Sequence, residues 1–267
     1  MSFRSAKRKN FPRYSAGIRI TEHMIIDGIE LDETRIPRHV ALIMDGNGRW
    51  AKLHGKRHTE GHRAGSERVL EIVDAAGHAG IGTITLYAFS TENWKRPKQE
   101  VEFLMMLLDE FFRTKIREAI DKGVRIRQIG DMKGLPERTQ KTVRDAEERS
   151  KDNTKLTVNV ALNYGSRDEI VRAVRSIAEK AAAGTLAPNA ITEETISLHL
   201  DTHRDPDPDL LIRTSGEWRL SNFLLYQIAY AELWVTETLW PDFTGREFIS
   251  AVADYQKRER RFGARTE

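Results

Sequence analysis

The chain has 267 residues, 39% of them hydrophobic and 31% charged, enough to bury one sizeable core as a large domain or two small ones. It contains no cysteine, which excludes disulfides, thiolate nucleophiles and cysteine zinc sites. The net charge of +3 comes from dispersed basic residues rather than one stripe, which argues against a nucleic-acid partner.

Residues 1–20 hold Arg4, Lys7, Arg8, Lys9, Arg13 and Arg19 and no acid. They read as a flexible basic tail, with attraction to an anionic membrane surface as the sharper alternative. No apolar stretch of secretory type opens the sequence. No run nears the roughly 18 apolar residues of a membrane span. The expectation is therefore a cytoplasmic protein, peripheral at most on the inner face of a membrane. Residues 21–36 turn acidic, with Glu22, Asp27, Glu30, Asp32 and Glu33, and read as a loose lead-in. The division predicted is an extension over 1–35 and a single folded domain over 36–267.

Residues 40–44 are a short apolar run rich in strand formers, closed by a turn containing two glycines, as a buried parallel strand would be. A helix is predicted over 62–79 and a strand over 83–89 that ends in the polar loop 90–97. A long helix follows over 98–122, then a charged strand over 125–130 and a surface helix over 136–151, where Pro136 suits a helix start. A fourth strand spans 156–162, with helices over 167–183 and 192–200. Strands over 209–213 and 233–236 and a closing helix over 244–260 complete the pattern. Strands alternating with helices predict an α/β domain with a roughly six-stranded, mostly parallel sheet and helices on both faces. Ligands of such sheets bind beyond the carboxyl ends of the strands, where the loops at 45–50, 90–97 and 214–223 fall.

In the first of these loops, Gly46 and Gly48 allow close backbone approach to a ligand, and a following helix would favour an anion. Asp45 would repel a phosphate unless a divalent cation such as magnesium bridged the two. Gly46 to Ala51 also fits the dinucleotide pattern G-x-G-x-x-(G/A). That pattern needs an acid about 20 residues on, at the end of the second strand. The second strand here ends far later, at Phe89 and Ser90, and a nicotinamide-dependent oxidoreductase is disfavoured. His54, His58 and His62 have a metal-binding spacing on a helix, but Gly55 and Gly61 are expected to break it. Lys56, Arg57, His58, His62 and Arg63 read better as an anion-binding loop. Phe103 to Leu108, continued by Phe111 and Phe112, is a core helix or the wall of an apolar cavity in which methionines accommodate an alkyl guest. Arg213, Arg219 and Ser221 suit a phosphate clamp, or Asp209 and Glu217 neutralise the arginines. Glu232 is a lone acid in A-Y-A-E-L-W-V, either structurally paired or a metal ligand.

D-G-N-G-R-W-A at 45–51, S-T-E-N-W-K-R-P at 90–97, R-T-S-G-E-W-R-L-S-N-F at 213–223 and A-E-L-W at 231–234 together resemble the isoprenyl transferase family of cis-prenyltransferases. The resemblance implies a homodimeric, magnesium-dependent enzyme with an apolar substrate tunnel. Its reaction would condense isopentenyl diphosphate with an allylic diphosphate such as farnesyl diphosphate. The product would be a cis-polyprenyl diphosphate, a long-chain lipid carrier precursor for cell-wall synthesis.

Carried over by motif, Asp45 handles magnesium at the allylic diphosphate, and Gly46, Asn47, Gly48 and Arg49 cradle that group with Trp50 beside it. His58 and His62 belong to the same phosphate region. Ser90, Thr91 and Glu92 line the site, Asn93 takes the position assigned to proton removal, and Trp94 and Arg96 flank the substrates. Arg213, Arg219 and Ser221 form the isopentenyl diphosphate clamp, Leu220 among them is substrate-binding, Glu232 is the second acidic metal position, and Arg261 reaches the neighbouring subunit. The family usually has arginine where this chain has His58, and Arg57 stands next to it. A non-catalytic partner subunit is the remaining alternative, and the intact Asp45 and 213–223 motif oppose it.

Overall fold

The structure is a computed structural model that describes residues 23–258. It opens with an antiparallel hairpin of β1 (His23–Ile26) and β2 (Ile29–Asp32). Asp27 and Gly28 make the turn at φ +49° and +75°, the two left-handed residues that a tight hairpin requires. The 21–36 segment therefore contains a hairpin that its acidic composition concealed. Gln256 pins it to the end of the last helix, accepting the Asp32 N–H at 3.0 Å and donating to the Asp32 carbonyl at 2.8 Å.

The main sheet is built on β3 (His39–Ile43), all five of whose residues are buried. Val40 and Leu42 enter one core cluster and Ala41 and Ile43 the other. That is the two-sided burial of a central parallel strand. Around it lie β4 (Thr83–Ser90), β5 (Val124–Ile129), β6 (Leu156–Tyr164), β7 (Leu210–Arg213) and β8 (Glu232–Val235). The order is β5-β6-β4-β3-β7-β8 and every pairing is parallel, so the expected six strands are all present.

One face carries α2 (His58–His78), α3 (Lys98–Glu110), α4 (Ile116–Asp121), α5 (Glu137–Ser150) and α8 (Gly245–Gln256). The other carries α6 (Ser166–Ala182) and the 220–231 segment, with Phe223, Leu224 and Ile228 filling the second cluster. Two short helices, α1 (Asn47–Leu53) and α7 (Glu193–Ser197), complete the set. The predicted 98–122 helix is interrupted by a π-helical turn at Phe111–Lys115, which joins α3 to α4. No described helix is long and apolar enough to cross a membrane.

Gly61 does not break α2 but lies within it, buried, four residues before buried Gly65. At the sheet's β5 end, the N–H groups of Ile126, Gln128 and Gly130 are accepted by Ser150 Oγ at 2.9 Å, Glu147 Oε1 at 2.7 Å and Asp201 Oδ2 at 2.9 Å.

Candidate active site

β3 has β4 on one side and β7 on the other, so successive crossovers leave it in opposite directions. The crevice past such a switch point is where open α/β sheets bind ligands. The chain leaves β3 through Asp45 and Gly46. Gly46 caps α1 at φ +111°, and a Cβ there would stand 3.0 Å from the Leu239 side chain. Thr214, just past β7, ties the two strand ends together, accepting the Asp45 N–H at 3.0 Å and donating to its carbonyl at 2.6 Å.

This brings Asp45 and Arg213 together across 168 positions of sequence: Arg213 Nη2 donates to Asp45 Oδ2 at 2.9 Å. Arg213 is 4% exposed, and its other terminal nitrogen donates to Ser221 Oγ at 2.8 Å and to the Arg219 carbonyl. Arg49 reaches the same corner, donating to Ser215, with Glu217 at 3.4 Å and Asp45 at 3.7 Å. Asp209, expected as a neutraliser of Arg213, instead accepts from the Arg38 N–H at the opposite end of the sheet. Glu217 does pair with Arg219.

A groove of about 610 Å³ runs over this corner. Of the predicted residues it gathers Asp45, Asn47, His62, Ser90, Glu92, Asn93, Arg96, Arg213, Arg219 and Ser221. Asn93 Oδ1 caps the loop by accepting the Ser90 N–H at 2.9 Å. Glu100 Oε1 lies 2.9 Å from Arg96 and 3.5 Å from His62 Nε2. Burial, and then the charge of Arg96, push the His62 imidazole below its ordinary pKa, so it is neutral near pH 7.

Other predicted residues do not line the groove. Trp50 donates to Asp242 at 2.8 Å and stacks on His54, and Trp94 donates to Asn163 at 2.7 Å. The Thr91 hydroxyl donates to Glu92, and Leu220 packs against the second core cluster. His58, the first residue of α2, lies over Gly48, where an added Cβ would meet its ring at 3.0 Å. Arg57 points away, its side chain 85% exposed beside Glu60. The structure does not bring Glu232 to Asp45. Glu232 opens β8 in register with Leu210, the first residue of β7, and accepts from Arg258 at 2.9 Å. Arg261 lies outside the described residues.

The groove abuts an apolar cavity of about 110 Å³ lined by Leu104, Leu107, Leu108, Phe111, Phe112 and Ile116 among others. Met44, Asn47, His62, Tyr87, Ala88 and Leu104 line both spaces. The methionines of 98–122 are not the lining: Met105 is in the packed core and Met106 is 48% exposed. Sequence reading missed Tyr87 and Asn222 in the groove. Burial keeps the Tyr87 phenol protonated by pushing its pKa well above the ordinary value. The signal was present for Asn222, which directly follows Ser221 in a motif already singled out.

As to a metal, the described residues contain no cluster of three or more acids and histidines. Asp45 is one carboxylate at the edge of a groove rich in arginine. That suits magnesium bound through one protein carboxylate with its remaining ligands drawn from substrate phosphates and water, and no all-protein cage.

A model of the family described as "Putative undecaprenyl diphosphate synthase" matches residues 43–263. The chain is 54% identical over 232 residues to an isoprenyl transferase of Agrobacterium fabrum, covering 87% of this chain and 94% of that one. It is 52% identical over 233 residues to one of Halalkalibacterium halodurans, covering 87% and 91%. A crystal structure of lavandulyl diphosphate synthase from Lavandula x intermedia in complex with dimethylallyl diphosphate superposes with a TM-score of 0.85 at 40% identity, over 86% of this chain and 99% of that one. A probable undecaprenyl diphosphate synthase from Campylobacter jejuni gives 0.70 at 36%, over 85% and 98%. With residues of the 45–51, 90–97 and 213–223 motifs lining one groove beside an apolar cavity, the chain belongs to the isoprenyl transferase family and is a prenyltransferase.

Proposed function

We propose that this prenyltransferase condenses isopentenyl diphosphate with an allylic diphosphate such as farnesyl diphosphate and lengthens a cis-polyprenyl diphosphate, the precursor of a cell-wall lipid carrier. The observation that carries the reading is the junction of two unlike spaces. A groove lined by Arg96, Arg213 and Arg219 suits diphosphates, and the cavity against it, walled by leucine and phenylalanine, suits a hydrocarbon chain.

In the reaction the allylic carbon–oxygen bond breaks and its electron pair leaves with the diphosphate. The double bond of isopentenyl diphosphate attacks the allylic carbon, and a proton leaves the adjacent carbon. Arginines and the amides at the start of α1 stabilise negative charge where it develops. Magnesium held by Asp45 and substrate oxygens would supply further charge neutralisation on the leaving group. The apolar cavity keeps water from the allylic cation. Asn93 is an amide and a poor base, so its role is to hold the proton's path rather than to accept the proton alone.

Arg213, Arg219 and Ser221 are assigned to isopentenyl diphosphate. Asp45, the 46–49 amides, His58 and His62 are assigned to the allylic diphosphate. Residues 36–267 act as the catalytic domain, at the cytoplasmic side of the membrane, with the first 35 as an extension. Glu232 stands at the far end of the sheet from Asp45, which favours its service, with Arg261, in a homodimer rather than within its own chain. Incubation with labelled isopentenyl diphosphate, farnesyl diphosphate and magnesium, followed by lipid extraction, tests the reading. Labelled polyprenyl product is expected, and a folded protein that makes none would refute it.

If the cavity is the mouth of a product tunnel, Leu104→Trp and Leu107→Trp should each shorten the product by several isoprene units while turnover continues. Both side chains line the cavity, and it has little room for an indole. Thin-layer separation of the dephosphorylated lipids reads the length, and parental lengths in active variants would make the cavity ordinary packing space.

The position of His58 over Gly48 leads to a second expectation. His58→Ala should raise the Michaelis constant for the allylic substrate by about tenfold, the value of one hydrogen bond to a charged group. Arg57→Ala should leave it unaltered. The reverse order would show that Arg57 swings in to make the contact.

A further inference from the structure

The Ser221–Asn222 turn is held in an unusual backbone state. Ser221 has φ +51° and Asn222 φ +62°, left-handed values that asparagine tolerates but that serine keeps only when its surroundings enforce them. Three neighbouring elements do so here. From β4, the Tyr87 hydroxyl lies 3.2 Å from the Ser221 carbonyl and 3.3 Å from the Tyr164 carbonyl, sharing its one proton between them, and the Tyr87 ring stacks on Phe223 at 4.4 Å. From the start of α6, the N–H of Ser166 donates to the Asn222 carbonyl at 2.8 Å and the N–H of Arg167 to Asn222 Oδ1 at 2.9 Å. From the loop after β4, Glu92 Oε1 accepts from Asn222 Nδ2 at 2.9 Å.

Gly165 leaves the room for this arrangement. A Cβ there would stand 2.7 Å from Asn222 Nδ2 and 2.6 Å from the Thr91 hydroxyl. Its φ of −154° is open to any residue, so space alone calls for glycine. The turn in exchange delivers Ser221 Oγ to Arg213, the same arginine that holds Asp45. A relaxed turn would carry Ser221 out of the groove and release one arm of a buried guanidinium.

We propose that Tyr87 and Asn222 are positioning residues. They hold the 221–222 turn in its left-handed form so that Arg213 and Ser221 face the diphosphate of the isopentenyl substrate, and the Asn222–Glu92 contact ties that clamp to the loop at 90–97. This rests on the assignment of Arg213 and Ser221 made above.

The test measures Michaelis constants for the two substrates separately, together with calorimetric binding of isopentenyl diphosphate alone. Asn222→Gly accepts the left-handed φ without steric cost but removes both side-chain hydrogen bonds. Its constant for isopentenyl diphosphate should rise about tenfold, with the allylic constant within about twofold. Tyr87→Phe keeps the ring stack and should shift the same constant in the same direction. Gly165→Ala should do likewise by crowding Asn222 while leaving both residues unsubstituted.

Asn222→Asp keeps the acceptor for Arg167 but opposes a carboxylate to Glu92. Adding Glu92→Gln puts a donor back across that contact and should recover isopentenyl diphosphate affinity relative to Asn222→Asp alone. A purely structural turn would lower the melting temperature, move both constants together and show no such recovery. Parental isopentenyl diphosphate constants in Asn222→Gly overturn the proposal. If Asn222→Gly does not fold, Tyr87→Phe decides by the same criterion. If the parent yields no prenyl product, the proposed reaction fails, and calorimetry still decides the positioning role: equal binding by parent and Asn222→Gly, or none by either, overturns it.

Discussion

Asp45→Asn should lose on the order of a hundred- to a thousandfold in kcat while melting close to the parent, the loss seen when one preorganised group facing developing charge is removed. The amide keeps an acceptor for Arg213 Nη2 but removes the negative charge that a cation between protein and diphosphate needs. Asp45→Ala should lose as much rate and also melt earlier. It leaves the 4%-exposed Arg213, whose Nε already has no partner, short of a further acceptor. The Asp45 side chain is 31% exposed, and its backbone is held by Thr214 and Trp240, so neither variant should unfold the sheet. Thermal melts and steady-state turnover separate the two effects. Near-parental kcat in Asp45→Asn would remove Asp45 from the chemistry.

Gly61→Ala should be the second most damaging single change, although alanine is a better helix former than glycine by about 1 kcal/mol. A Cβ at 61 would run into the backbone carbonyl of Asn47 and stand 3.0 Å from the Ala51 Cβ. Backbone cannot rotate aside as a side chain can, so α1 must lift from α2, and the amides at its start, proposed above to cradle the allylic diphosphate, lift with it. Overpacking of this kind costs about 1–3 kcal/mol, and the allylic Michaelis constant should rise about tenfold or more as the cradle shifts. Gly65→Ala should behave similarly, since its Cβ would meet the Asn47 side-chain carbonyl and stand 2.8 Å from Trp240. Gly77→Ala in the same helix is the control. Nothing lies within 4 Å of its added carbon, so it should stabilise by up to about 1 kcal/mol with kinetics unchanged. Equal behaviour at 61 and 77 would refute the account.

The sheet was legible because each of its strands is a short apolar run closed by polar loop residues, and that pattern is local. The hairpin at 23–32 was missed for a composition-level reason: acids at Glu30, Asp32 and Glu33 outweighed the Asp27-Gly28 turn signal flanked by isoleucines. Gly61 was misread because a glycine that admits a neighbouring carbonyl looks, in one dimension, like one that ends a helix. The π-helical turn at Phe111–Lys115 leaves no mark in hydrophobic spacing. In the site, the residues clustered in one motif were readable together. Asp45 and Arg213 meet from strands far apart in sequence; the parallel-sheet pattern put their loops at the same end of the sheet, but their direct contact needed the strand order β4-β3-β7, which the sequence pattern does not carry. The displacement of Glu232 to the other end of the sheet follows from strand register, which composition does not carry.

The capped N–H groups of β5 bear on how the sheet assembles. A bare edge strand is a template for whatever extended chain arrives first. Here two of the three acceptors, Glu147 and Ser150, lie in α5, the helix that directly follows β5 in sequence. The β5–α5 unit can therefore close its outer edge from within, before β6 exists to occupy the inner one. What remains is a one-sided strand, able to recruit a partner only from the side on which β6 comes to lie. The same two side chains thus cover this edge against stray intermolecular pairing. A chain lacking both, Glu147→Ala with Ser150→Ala, would be expected to lose soluble yield on refolding out of proportion to its loss of melting temperature.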